Sequence, residues 1–145
     1  MALPNKNPFD QYKETQVTTA NQGKLIVMLY DGAIKFLNIA IENMAEPKTY
    51  DIANNNIIKA QDIITELLVS LNMKDGGEIS NNLFNLYMFF KKELLDANIK
   101  KDPEIIKPIL KHLKELRNAW EKISANESDA GNRNVASKGS FSVEG

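Results

Sequence analysis

A chain of 145 residues that is 43% hydrophobic can bury one sizeable core, and a net charge of −1 with both signs mixed along the chain removes the basic face that nucleic acid demands. With no cysteine there are no disulfides and no thiolate metal sites. The longest apolar run, Leu25 to Tyr30, spans six residues, so a transmembrane helix is not expected. The N-terminus MALPNKNPFDQYK also lacks the basic start and apolar run of a signal peptide, which points to the cytoplasm.

Residues 1–8, with two prolines and two asparagines, read as a flexible leader. In NPFDQYKETQV, Asn7 is a candidate cap, Pro8 suits a first helical position, and Phe9 and Tyr12 share a face. A helix over 9–17 is too short to persist alone, because peptides under about 12 residues are marginal in water. It must rest its two rings on something, either as a permanently packed segment or as a detachable lid over an apolar groove.

The stretch Lys24 to Met44, KLIVMLYDGAIKFLNIAIENM, is the centre of the pattern. As a helix it gathers Asp31, Lys35, Asn38 and Glu42 into one polar stripe roughly 60° wide. Almost all the rest of its circumference is apolar, more than the stripe of about 100° that an ordinary surface helix carries. It is either the central helix of a bundle or a helix that keeps some surface for a partner. Gly32 costs this helix about 1 kcal/mol relative to alanine. With Ala33 it lets another backbone come close, from a neighbouring helix of the bundle or from a bound one.

From Pro47 to Asn72 the series Tyr50, Ala53, Ile57, Ala60, Ile64, Leu67/Leu68, Leu71 predicts a second helix, with Asn54, Asn55 and Asn56 on its solvent side. Lys74-Asp75-Gly76-Gly77 is a turn, and Glu78-Ile79 after it rules out a phosphate loop, which needs Lys-Ser/Thr there. A third helix follows, with Ile79, Leu83, Leu86, Tyr87, Phe90, Leu94 and Ala97 as its inner stripe and Phe84, Met88, Phe89 and Leu95 left over. Asp102 as cap and Pro103 as first residue start the fourth, which runs to about Ser124 on Ile105/Ile106, Ile109/Leu110, Leu113, Leu116, Trp120 and Ile123. Pro108 inside it predicts a kink, or regular helix only from that point. From 125 to 145 the chain is polar, rich in Ser, Gly and Asn, aperiodic, and reads as a disordered tail. Short joins favour antiparallel neighbours, so the expected fold is all-α: an up-and-down bundle of four long helices over 9–124, counting the short N-terminal helix as part of that domain.

Little chemistry is on offer. The one histidine, His112, could serve a phosphotransfer bundle, but Lys114 is followed by Glu115, whose bulk and charge oppose a phosphoryl group. A lone histidine cannot supply the paired Glu-x-x-His motifs of a di-iron bundle. No catalytic constellation, cofactor or metal site is expected, and the chain is not read as an enzyme. What remains is apolar surface suited to a partner helix, with Met28, Met44 and Met88 able to repack around it.

Three stretches together, KLIVMLYDGAIKFL, GGEISNNLFNLYMFF with LLDANIKKD, and LRNAWEKI, resemble the flagellar export chaperone family FliS, over about residues 9–124. The family shows L-I-x-M-L-Y-D-G-A, GGEI-x-x-N-L-x-x-L-Y, L-x-x-A-N and A-W-x-x-I in this order. The resemblance implies an antiparallel helical bundle. Such a bundle would bind the C-terminal segment of flagellin in the cytoplasm, prevent premature polymerisation and help deliver the subunit to the type III export gate. It also implies that an N-terminal segment, matching Phe9 and Tyr12, covers part of the groove and docks at the gate. The groove candidates are Leu25, Met28, Tyr30, Gly32, Phe36, Phe84 and Met88. One departure is the helix start. The family's Ser-Pro and following Glu are replaced by Ala20-Asn21-Gln22-Gly23-Lys24, where Lys24 cannot close a capping box. The rival readings are the phosphotransfer module at His112 and a generic helical adaptor. Oligomeric state stays open between monomer and weak dimer.

Overall fold

The protein is described by a computed structural model over residues 22–133, with side chains through 126. The expected leader and the segment carrying Phe9 and Tyr12 lie outside the described residues. So do Thr18, Thr19 and Asn21, whose residue types suit an N-cap for the helix that follows.

Four long helices account for most of the described chain: α1 (Gln22–Glu42), α2 (Tyr50–Val69), α3 (Gly77–Lys100) and α4 (Pro103–Arg133). α1 packs between α2 and α4, and α3 packs between the same two. α1 and α3 are therefore diagonal, and their backbones make no contact. A Cβ on Gly32 would lie 2.9 Å from Ile63 Cδ1, and Lys59 Nζ sits 5.4 Å from the Phe36 ring centre, so α1 and α2 run antiparallel. Asn98 donates to Asn54 and Gln61 to the Lys91 carbonyl, which sets α2 against α3 in the same sense. The observed architecture is the expected antiparallel bundle.

The joins are short and held by local chemistry. Asn43 caps the end of α1 by donating to the Ile39 carbonyl, and Pro47–Thr49 forms a 3-10 turn in which Thr49 Oγ1 donates to the Asn43 carbonyl. After α2 the Asn72 carbonyl collects the Gly76 N–H (2.7 Å) and the Ser80 hydroxyl (2.9 Å). A Cβ on Gly76 would fall 2.4 Å from that carbonyl oxygen, and Gly77 has φ +59°, so each glycine is demanded for its own reason. α3 ends on Lys101 in the left-handed region (φ 51°), where the Ala97 carbonyl accepts from Lys101 and Asp102. Asp102 Oδ1 then accepts the Glu104 N–H and Pro103 opens α4, as the sequence predicts.

The core is built from α1 (Leu29, Tyr30, Leu37), α2 (Ile57, Ile64, Leu67), α3 (Tyr87, Phe90, Leu94) and α4 (Ile106, Ile109, Leu113), with alanines where helices draw close. Several expectations are revised. Of the two uses left open for the broad apolar face of α1, packing within the bundle takes most of it, because α2 and α4 flank it and even Ile34, Phe36 and Ile41 rest against the core. Asn54 and Asn56 do not face solvent: Asn56 is buried, donating to the Ile52 carbonyl, and Asn54 accepts from Asn98. Ile79, expected inside, is 71% exposed, because it lies at the edge of the inner stripe in the first turn of α3. Ile123 is likewise exposed. α4 runs through Pro108 without a break, at a solvent-exposed turn where water can serve the freed carbonyl. It also continues past Ser124 to Arg133, into the stretch expected to be disordered. Extending an existing helix costs far less than starting one.

Candidate functional site

The apolar surface left over after the bundle closes is concentrated on α3. Phe84 (40% exposed), Met88 (46%), Leu95 (56%) and Ile99 are spaced by four, seven and four residues, which places them in one stripe roughly 60° wide. Three side-chain links fix the direction of that stripe. Lys91 Nζ donates to Thr65 Oγ1 (2.7 Å) and to the Gln61 carbonyl (3.3 Å), and Asn98 donates to Asn54 (2.7 Å). The stripe therefore borders the furrow between α2 and α3, where α2 contributes exposed Ile58 and Val69.

A second, shorter apolar edge lies on the α4 side of α3. Phe89 and Ile79 are exposed there, and Ile123 is exposed on α4, with Leu86, Leu116 and Trp120 half-buried beneath. His112 belongs to this side: it is exposed, and its ring packs 5.9 Å from that of Phe90.

The candidate positions named from the sequence separate cleanly. Phe84 and Met88 lie on the α2–α3 furrow. Leu25 and Tyr30 are buried and have no surface to offer a partner in this conformation. Gly32 is occupied by packing against Ile63. Phe36 is half-buried against the core with the ammonium groups of Lys35 and Lys59 over its ring, and Met28 is half-buried on α1, on the far side of the bundle from α3. Ile58, Val69, Leu95 and Ile99 were missed. Leu95 already stood out as off the inner stripe, but only the tertiary pairing of α2 with α3 reveals which α2 residues join it.

The centre of the bundle is closed to chemistry. Tyr30 and Tyr87 meet hydroxyl to hydroxyl across the diagonal, and Trp120 approaches Tyr30 from α4. Burial raises both phenols above their ordinary range. The neighbouring Tyr87 hydroxyl adds to the rise at Tyr30, and the Trp120 indole partly offsets it. On the surface, Arg117 of α4 donates to Asp31 of α1 (2.7 Å) and pairs with Glu121, and the bond to Asp31 raises its already high pKa. Among the described residues no group of His, Asp or Glu could hold a metal ion, and no helix is long and apolar enough to cross a membrane. What the surface offers is exposed apolar side chains beside the α2–α3 furrow.

Comparison with known proteins gives one answer. The family model for the flagellar protein FliS matches residues 5–127. A flagellar secretion chaperone of Bacillus subtilis is 34% identical over 122 residues, covering 84% of this chain and 90% of that protein. Its counterpart in Vibrio cholerae is 33% identical over 76% of this chain and 80% of its own length, and that of Salmonella typhimurium 33% over 79% and 85%.

Proposed function

The chain belongs to the FliS family of flagellar secretion chaperones, which is not an enzyme family, and from that premise we propose that it is a cytosolic export chaperone for flagellin. It holds the C-terminal segment of flagellin, keeps it from polymerising early and assists its delivery to the flagellar type III export gate. The observation that carries this reading is the apolar stripe Phe84, Met88, Leu95, Ile99 beside Ile58 and Val69, exposed on a bundle whose core is otherwise complete. A client segment that is unfolded when free gains helix as it lies in the furrow. Ordering it consumes about 2–5 kcal/mol of the gross contact energy, so a few buried anchors must dominate the affinity. Phe9 and Tyr12, outside the described residues, fit a displaceable cover that also docks at the gate.

The test is calorimetric titration of the full chain with the C-terminal segment of flagellin from the same cell. Saturable binding that is lost in the Phe84→Asp, Met88→Asp variant, with helix content retained, supports the reading. Absence of binding by the wild-type chain refutes it. The phosphotransfer reading of His112 is not favoured, since the relatives are chaperones by name and the ring leans on Phe90 between lysines.

A further inference from the structure

The α2–α3 furrow is not uniformly apolar. From the glycine-turn end it runs Val69, Phe84 and Met88, then a polar waist of Thr65, Gln61 and Lys91. Ile58 and Leu95 follow, and Asn54 with Asn98 closes the far end. Lys91 is half-buried, three residues after Met88 and four before Leu95. It has no carboxylate partner among the described residues, where the ion pairs engage other cations. An ammonium has three N–H donors. Thr65 Oγ1 and the Gln61 carbonyl take two, which leaves one for an incoming acceptor.

A client helix laid in this furrow would strip water from that ammonium. A desolvated charge without a counter-ion is strongly unfavourable, whereas a carboxylate brought against it forms a charge-assisted hydrogen bond in a partly dry site. We propose that Lys91 is a specificity-determining residue of the furrow, selecting a client helix that carries Asp or Glu between two apolar anchors at spacings of three and four residues. The apolar anchors lie against Met88 with Phe84 on one side and against Leu95 with Ile58 on the other. A client with Lys or Arg at that position is rejected by like charge, and one with Leu there leaves the ammonium unpaired. This assignment rests on the chaperone reading and names what that reading leaves open, the chemistry by which the client segment is chosen and set in register.

The experiment uses the full chain and peptides spanning the flagellin C-terminal segment, in which each Asp or Glu flanked by apolar residues at helical spacing is changed in turn to Leu. Affinities are measured for wild type, Lys91→Met and Phe84→Asp. One acidic position is expected to stand out. Its change to Leu weakens binding to wild type by about tenfold, and Lys91→Met weakens the parent peptide by a similar factor while tightening the Leu peptide. That reversal of preference is the decisive readout. Loss of the Lys91 bridge to α2 as mere scaffolding would weaken both peptides alike, and thermal unfolding of Lys91→Met checks that the fold is intact. If the parent peptide binds, Phe84→Asp abolishes binding and no acidic position shows the reversal, the role of Lys91 is overturned while the chaperone reading stands. If wild type binds no peptide at all, both fall together.

Discussion

The hydroxyls of Tyr30 and Tyr87 meet in the middle of the bundle and join two helices, α1 and α3, whose backbones never touch. The Tyr87 hydroxyl is spent on Tyr30, which is also approached by the Trp120 indole, in an otherwise apolar core. Removing the Tyr30 hydroxyl strands that of Tyr87, at a cost of about 1–3 kcal/mol, and removing the Tyr87 hydroxyl leaves Tyr30 only the Trp120 indole, whereas removing both is less costly than the sum. Tyr30→Phe and Tyr87→Phe are each expected to lower stability to denaturant by that order, and the double variant by clearly less than the sum. Additive losses would show that the two hydroxyls act independently.

The same pair governs behaviour in alkali. Both phenols have folded-state pKa values above the unfolded value of about 10, so the stability they contribute is fully present below that pH and is lost as pH rises beyond it. Burial makes both rings harder to ionise in the folded bundle than in the unfolded chain. Phenolate absorbance from Tyr30 and Tyr87 should therefore appear together with the loss of helical circular dichroism. In the double phenylalanine variant the alkaline transition moves to higher pH.

Gly32 tests close packing against partner contact. A methyl there meets the tip of the Ile63 side chain at 2.9 Å, a group able to rotate aside, and alanine gains about 1 kcal/mol of helix propensity. Gly32→Ala is expected to change stability by less than about 1 kcal/mol, and Gly32→Leu to destabilise by several kcal/mol through overpacking. Chemical denaturation measures both. A harmless leucine would mean that the position is open.

The diglycine turn is less forgiving. At Gly76 a Cβ meets the Asn72 carbonyl oxygen and the Ser80 side chain, and the backbone cannot step aside as the Ile63 tip can. Gly77→Ala costs about 1–2 kcal/mol for the left-handed conformation alone. Gly76→Ala is expected to cost more than Gly77→Ala, read from melting temperatures. The reverse order would mean that the turn reshapes freely.

Lys101 holds a left-handed conformation without being glycine, and its ammonium binds the Asn98 carbonyl (2.7 Å) and Oδ1 (2.8 Å) while lying 5.3 Å from the Tyr50 ring centre. Glycine would remove about 1–2 kcal/mol of backbone strain but also these contacts, while alanine removes the contacts and keeps the strain. Lys101→Ala is expected to be the less stable of the two variants in thermal unfolding.

The helices were legible because their periodicity and end signals agree, as at Asp102-Pro103 and the diglycine turn. The family was legible from three motifs in order. The α2–α3 furrow was only half legible. Phe84 and Met88 stood out as off-stripe, but periodicity gives the direction of a side chain and not what lies opposite. Tyr30 therefore looked available until the helices closed on α1 and set its hydroxyl against Tyr87. For the same reason Asn56 looked solvated although it returns its amide to the Ile52 carbonyl. Lys91 reads in the sequence as an ordinary surface charge, and only Thr65 and Gln61 on the neighbouring helix set it into the furrow.

α3 is secured unevenly. From Tyr87 onward it sends Tyr87, Phe90, Leu94 and Ala97 into the core and closes on Lys101, whereas ahead of Tyr87 only Ser80 is fully buried and Leu83 and Leu86 are half-buried against the core. At the glycine end the first turn of α3 is held chiefly by the Asn72 carbonyl, which accepts from Gly76 and Ser80, rather than by fully buried apolar side chains. Amide protons near Phe84 should then exchange sooner than those near Leu94.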